Sequence, residues 1–254
     1  MSTLANHVKD NFAGMLVFGD IHSDYKTFMS AYEFATANNL FFMSLGDLVD
    51  RGSFPYETIS GMLSFIKAGT AGFVPGNHDD KFYRLSQGKT SSFSVDAKRT
   101  LADVGPEREV EFLRMYAEIF ETPVYTSLFH TFGDFIMVHA ASHPHMWDST
   151  VKFSKGVNSR ALYGETNGER YDDGYPVRLY SWIDEIPMGK TVFVGHDRAP
   201  IHNVAITEPM TVTNSRGGRA IFMDTGCGKG GFLSGAIITT DRRKFKFDRF
   251  VDFK

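Results

Sequence analysis

The sequence predicts an α/β fold, and two patterns in it carry that expectation. Over residues 15–75, short apolar runs alternate with amphipathic stretches in a strand–helix–strand–helix–strand succession, the pattern of a parallel, right-handed βαβ sheet. The second half is instead rich in short, turn-bounded apolar runs and reads as β-rich. The early strands share a further feature. Each ends at a glycine followed by Asp, Asn or His: Gly19-Asp20-Ile21-His22, Gly46-Asp47 and Gly76-Asn77-His78. Open α/β sheets place ligands at such carboxyl ends of their strands.

Taken in order, Met15 to Phe18 is the first strand. Residues 24–38 follow with Tyr25, Phe28, Met29, Tyr32 and Phe34 or Ala35 at helical spacing, closed by Asn38-Asn39. Leu40 to Leu45 is the second strand, and Pro55 to Lys67 a helix with Tyr56, Ile59, Met62, Leu63 and Ile66 on one face. Gly72 to Pro75 is the third strand. Helices are expected over Asp79–Leu85 and Glu107–Phe120, with Gln87 to Thr100 as a polar connection or cap. The later strands are Phe135–Val138, Thr191–Val194, Ala220–Asp224 and Ala236–Thr239. Phe245, Phe247, Phe250 and Val251 mark an edge strand, and residues 142–178 read as a long functional loop.

Composition bounds the function classes. The 254 residues are 42% hydrophobic and 14% aromatic, enough for a sizeable core, and no repeat or linker divides them, so one domain over 1–254 is expected. A formal net charge of −3 without any Lys/Arg block does not mark a nucleic-acid binder by bulk electrostatics. Cys227 is the only cysteine, which excludes an intrachain disulfide and a thiolate metal cluster. The polar stretch Met1–Gly14 has no signal-peptide core, and no run approaches the ~20 apolar residues of a membrane span. A soluble, cytoplasmic protein with no membrane association and no obligate protein partner is expected.

The donors at the strand ends point to metal chemistry. In extended backbone Asp20 and His22 project to one side and can reach one ion. Asp47 occupies the same place on a neighbouring strand and can bridge two ions. Asn77 offers a neutral carbonyl oxygen, and His78 an imidazole that titrates near neutral pH. Val138-His139 and Gly195-His196 add two more histidines after apolar strands. Any one of these alone fits a capping residue or a surface ion pair, but five convergent strand ends fit a two-ion site. Without thiolates the site suits Mn²⁺, Fe or Zn²⁺. Two ions about 3.5–4 Å apart clamp a phosphoryl group and ionise a bridging water, the chemistry of phosphoester hydrolysis. His78 fits the proton donor for the leaving oxygen, Asp50 its tautomer partner, and Arg51 a fork for the phosphate oxygens.

Gly19-Asp20-Ile21-His22, Gly46-Asp47-Leu48-Val49-Asp50-Arg51-Gly52, Gly76-Asn77-His78-Asp79, Val138-His139-Ala140 and Gly195-His196 resemble, in order and spacing, the motif set of the calcineurin-like metallophosphoesterases, in their phosphoprotein-phosphatase branch. The resemblance implies a two-layer β sandwich flanked by helices with a dinuclear site at the strand ends. It implies Asp20 and His22 on one metal, Asn77, His139 and His196 on the other, Asp47 between them, His78 with Asp50 as the acid pair and Arg51 on phosphate. A narrower likeness, through Gly76-Asn77-His78-Asp79-Asp80-Lys81, Ser159 to Glu169, Pro176-Val177-Arg178 and Asp224-Thr225-Gly226-Cys227, is to the phosphatase module of bacterial polynucleotide kinase-phosphatases, and in part to bacterial diadenosine tetraphosphatases and phage protein phosphatases. It implies Arg160 as a second phosphate clamp. Ser23, Ala141 and Asp197-Arg198 depart from the family pattern beside the site; Arg198 fits either a phosphate contact or a pair with Asp197.

The implied activity is a metal-dependent phosphomonoesterase using a metal-bridging hydroxide, with manganese first among the candidate ions. Its phosphorylated substrate is expected to be nucleic acid or nucleotide, then phosphoprotein, then a dinucleoside polyphosphate. The reading of a different class is an inactive metal-binding scaffold, which has no use for His78, Asp50, Arg51 and Arg160. His143 and His145 are expected in a surface or loop role, and His7, His130 and His202 in ordinary ones. Gly226 to Gly231 lacks the spacing of a phosphate-binding loop and reads as a tight turn between the last two core strands.

Overall fold

The computed structural model describes residues 3–89, 94–172, 174–201, 204–241 and 244–254. In chain order these form α1 (Thr3–Asn11), β1 (Gly14–Phe18), α2 (Tyr25–Ala37), β2 (Leu40–Ser44), α3 (Pro55–Lys67), β3 (Ala71–Phe73), α4 (Asn77–Ser86), α5 (Val95–Val104) and α6 (Glu109–Phe120). Then come β4 (Phe129–Phe132), β5 (Phe135–Val138), α7 (Lys155–Tyr163), β6 (Glu165–Arg170), β7 (Pro176–Leu179), β8 (Thr191–Val194), β9 (Met210–Thr213), β10 (Arg219–Phe222), β11 (Leu233–Asp241) and β12 (Lys244–Phe253).

One sheet has the order β12-β11-β1-β2-β3 and the other β4-β5-β8-β10-β9; β6 and β7 form a separate hairpin. β1, β2 and β3 are mutually parallel, as are β5, β8 and β10; β11, β4 and β9 run antiparallel to β1, β5 and β10 respectively, and β12 runs antiparallel to β11. Side-chain alternation explains how the sheets stack. Met15, Val17, Phe41 and Met43 join Phe132, Met137, Phe193 and Ile221 in the layer between the sheets, to which α1 adds Leu4, Ala5 and Val8. Leu16, Phe18 and Phe42 point the other way, into Phe28, Met62, Phe82 and Tyr116 of α2, α3, α4 and α6. Val138, Val192 and Phe222 likewise meet Val157, Ala161 and Trp182 on the outer face of the second sheet. Both faces of each sheet are thus covered, which is why the central strands read as unbroken apolar runs. The result is the expected helix-flanked, two-layer sandwich.

The structure departs from the expected elements at several places. The stretch Gln87 to Thr100, expected to be a polar connection, contains most of α5, whose N-cap Ser94 accepts from the Ala97 amide at 3.2 Å; residues 90–93 lie outside the described residues, as does His202. The segment 142–178 is not a structureless loop, because it holds α7 and the β6–β7 hairpin. Neither gives an apolar period: α7 buries only Val157 and Ala161, and β6 is almost wholly exposed. Helix α4 begins at Asn77 rather than Asp79. Short α1, β4 and β9 were also not expected. Gly226 to Gly231 does form a turn, but one that carries the chain from β10 in one sheet to β11 in the other.

His130 on β4 is 5% exposed, and its Nε2 donates to the Tyr125 carbonyl at 3.2 Å. Burial pulls its pKa down to about 4 from an ordinary 6.5, so the unfolded chain binds the proton more tightly. Stability from this residue is complete above pH 6.5 and is lost as the pH falls towards 4, by up to about 3 kcal/mol. In urea melts of metal-free protein, the wild type is expected to lose about 2 kcal/mol more than His130→Phe between pH 6.5 and 4.5; equal losses would contradict the assignment.

Candidate metal centre

The side chains singled out in the sequence meet at the carboxyl ends of the parallel strands of both sheets. Asp20 and His22 follow β1, Asp47 follows β2, Asn77 opens α4 after β3, and His139 and His196 follow β5 and β8. They form two groups that share one member. Asp20, His22 and Asp47 offer ligand atoms within 4.8 Å of one another, as do Asp47, His139 and His196. Asn77 Oδ1 lies 3.3 Å and His196 Nδ1 3.0 Å from His139 Nε2, and Asp47 Oδ1 lies 3.4 Å from the same nitrogen.

The backs of the histidines fix which nitrogen faces inward. Nδ1 of His22 is 2.9 Å from the Val49 carbonyl and Nδ1 of His139 is 2.7 Å from the Leu45 carbonyl. A carbonyl only accepts, so both Nδ1 atoms carry hydrogen and both Nε2 lone pairs face the cluster. Burial pulls His22 down to about 3, and burial with the Arg178 charge holds His196 well below its ordinary value. Neutral imidazole is the form that ligates. Asp20 Oδ2 and His22 Nε2, 3.5 Å apart, are buried without a hydrogen-bond partner. Two facing acceptors in this state are costly unless a cation lies between them, so the residues fit divalent ions with oxygen and nitrogen ligands.

The backbone here is strained where the side chains are held. His22, Ser23, Asp47, Asp50, Arg51 and His196 have φ between 49° and 70°, a region costing non-glycine residues on the order of 1–3 kcal/mol each. Asp20 and His22 therefore converge through a left-handed turn, not through the extended backbone expected. Two glycines allow the close approach. A Cβ on Gly76 would sit 2.1 Å from Asp47 Oδ1, and one on Gly195 2.3 Å from Asp20 Oδ1. Asp79, whose sequence position gave no role, is fully buried. Its carboxylate accepts from the amides of Asp47 (2.7 Å), Leu48 (3.1 Å) and Gly76 (2.9 Å) and from the Tyr116 hydroxyl (3.2 Å); burial and the Asp47 charge push it up to about 7.

His78 Nδ1 makes a short hydrogen bond to Asp50 Oδ2, and its Nε2 is 3.8 Å from Asp47 Oδ2. Burial opposes its charged form, but Asp47 and Asp50 outweigh burial and hold its pKa above the ordinary value. Thr100, delivered by the unexpected α5, donates to the other oxygen of Asp50 at 2.5 Å.

The cluster opens into a cavity of about 360 Å³ lined by Arg51, Arg170, Arg178 and Lys229 beside Asp47, Asn77 and His78. A larger cavity of about 790 Å³ adjoins it, adding Tyr171, Tyr180, Arg198 and Ile201. Arg178 Nη1 lies 2.5 Å from His196 Nε2, and Lys229 Nζ lies 3.0 Å from Asp224 and 3.9 Å from Asp20. Lys229 was missed in the sequence; its signal was a lone cation inside a glycine-rich turn. Arg160 lines neither cavity, because Glu185 at 2.7 Å and Glu165 at 3.0 Å hold its guanidinium. His143 and His145 also lie outside both cavities, with His145 Nδ1 2.5 Å from the Val151 carbonyl.

The family model for calcineurin-like phosphoesterases matches residues 15–211. A bis(5'-nucleosyl)-tetraphosphatase PrpE [asymmetrical] of Halalkalibacterium halodurans is 28% identical over 86% of this chain and 87% of its own length. The protein of that name from Bacillus velezensis is 29% identical over 75% of this chain and 71% of its own. A crystal structure provisionally named as a diadenosine tetraphosphatase superposes with a TM-score of 0.57 at 20% identity, covering 96% of each chain, and shows the shared fold.

Asp47 is the member common to both donor groups, so Asp47→Asn is expected to lower bound metal from two ions per chain to fewer than one. Elemental analysis after desalting measures this, and retention of two ions would remove the bridging assignment.

Proposed function

The chain belongs to the calcineurin-like phosphoesterase family, and from that premise we propose that it is a metal-dependent hydrolase of nucleotide phosphates whose favoured substrates are dinucleoside polyphosphates. The observation that carries the reading is the paired donor cluster opening directly into a cation-lined cavity that continues into a larger one walled by Tyr171, Tyr175 and Tyr180. A cluster of this kind serves a phosphoryl group, and an aromatic-walled extension serves a base. The names of the relatives support the substrate class. This reorders the classes expected from the sequence, which set nucleic-acid or nucleotide phosphates first and dinucleoside polyphosphates third.

In this proposal Asp20, His22 and Asp47 hold one divalent ion, and Asp47, Asn77, His139 and His196 the other. The ions supply Lewis acidity at the phosphoryl oxygens and lower the pKa of water; the donor set accommodates Mn²⁺, Fe or Zn²⁺, with manganese the ion proposed. Arg51 and Arg178 bind the non-reacting phosphate oxygens through their planar forks. Arg178 takes this place, rather than Arg160, because it lines both cavities whereas Arg160 is held by two glutamates. His78, oriented by Asp50, gives its proton to the leaving oxygen.

The substrate class is tested by kcat/KM of metal-loaded protein on diadenosine tetraphosphate, an oligonucleotide 3′-phosphate and a phosphothreonine peptide. A preference of about 100-fold or more for the first is expected, equivalent to nearly 3 kcal/mol of transition-state binding; a preference for either of the others would overturn it. The role of His78 is tested separately. His78→Ala should keep both ions yet slow alkyl monoesters about 10²-fold more than aryl monoesters, since only the alkoxide needs the proton. Equal losses on the two would remove His78 as the acid.

A further inference from the structure

Arg198 stands where the sequence left two roles open, a pair with Asp197 or an anion contact. The structure decides against the first. The Asp197 carboxylate accepts from the Tyr180 hydroxyl at 2.7 Å and the Ala199 amide at 3.1 Å, and its charged neighbour is Arg178 Nε at 3.6 Å. Among the described residues no carboxylate lies within ion-pair distance of Arg198. Among the described residues its one side-chain hydrogen bond runs from Nη1 to the Lys229 carbonyl at 3.3 Å, and its Nε is buried without a partner. The guanidinium packs against Gly226, where a Cβ would come within 2.6 Å of Nε. A cation held this way, half-buried and without a counter-charge, is waiting for an anion.

Its position says which anion. Arg198 lines the larger cavity and not the smaller one beside Asp47, Asn77 and His78. The two cavities share Arg51, Tyr175, Pro176, Arg178, His196 and Lys229, so they run into one another. An anion on Arg198 therefore sits in the part of the opening that Asp47, Asn77 and His78 do not line, while Arg178 and Lys229 line both parts. A polyphosphate chain is the anion that can run from one cavity into the other.

We propose that the larger cavity is a subsite for the phosphates beyond the scissile one, with Arg198 as its anion-binding residue. This rests on the polyphosphate reading above and adds the residue that distinguishes a polyphosphate from a lone phosphoryl group. The test uses the metal-loaded full chain hydrolysing an aryl phosphate, with inorganic orthophosphate and tripolyphosphate as competing inhibitors. The wild type is expected to bind tripolyphosphate at least 10-fold more tightly than orthophosphate. Arg198→Gln should weaken tripolyphosphate by about 10–100-fold, the scale of a lost charge-assisted hydrogen-bond pair, and orthophosphate by no more than about threefold. Arg198→Lys, which keeps the charge and loses the fork, should fall between the two and serves if the Gln variant fails to fold. Chelation of metal by free tripolyphosphate is common to all the proteins and cancels in their ratios. Equal weakening of both anions, or none, would overturn the proposal. If tripolyphosphate discrimination depends on Arg198 but diadenosine tetraphosphate is not turned over, the subsite stands and the nucleotide reading falls.

Discussion

The site is built outward from one buried carboxylate. Asp79 takes four hydrogen bonds, and three of them come from backbone amides on either side of the cluster, at Asp47, Leu48 and Gly76. These bonds pin the turn after β2 to the turn after β3 and hold Asp47 at a φ of 51°. The Asp47 carbonyl in turn accepts from the amides of Ile21 and His22, which fixes the loop after β1. Asp20 completes the circuit by accepting from the His196 amide at 2.8 Å, which ties in the second sheet. Removing one acceptor from such a network exposes several buried donors at once, so its cost exceeds that of a single bond.

This arrangement stores free energy as well as organising it. Left-handed backbone at six positions and the buried carboxylates of Asp20, Asp47, Asp50, Asp79 and Asp224 all work against the folded state. The sandwich below, with its three apolar layers, offsets that cost. Burial and the mutual repulsion of Asp20 and Asp47 raise the pKa of Asp20, while the surrounding histidines hold Asp47 below its ordinary value. A charge distribution of this sort favours cations, and the same cavity wall that carries Arg51, Arg178 and Lys229 favours anions. Metal and phosphate are thus each attracted to adjoining parts of one opening.

Much of this was legible in the chain. The strands β1, β2, β5 and β8 announced themselves because burial on both faces makes them uniformly apolar; the donors after β1, β2 and β8 were visible as polar residues directly after glycine, and His139 as one directly after the apolar run of β5. What was not legible shares a physical cause: its signal lies in three dimensions. Helix α5 has only three buried residues, so its period is faint, yet it carries Thr100 to Asp50. Asp79 looks like any acidic residue in a first helical turn until its amide partners are seen. Arg160 and Arg178 are indistinguishable as sequence; only Glu165 and Glu185 on one side, and His196 and Asp197 on the other, separate a held arginine from one facing the opening. Lys229 was hidden in a run of glycines whose role as a sheet-to-sheet crossover was not apparent.

One carboxylate, Asp47, is proposed to be shared by two ions at the meeting point of the two sheets. Anomalous diffraction from crystals grown with MnCl₂ measures this directly. The account predicts two peaks about 3.5–4 Å apart with Asp47 between them, one beside Asp20 and His22 and the other beside Asn77, His139 and His196. A single peak, or peaks that leave Asp47 without an ion on either side, would contradict it.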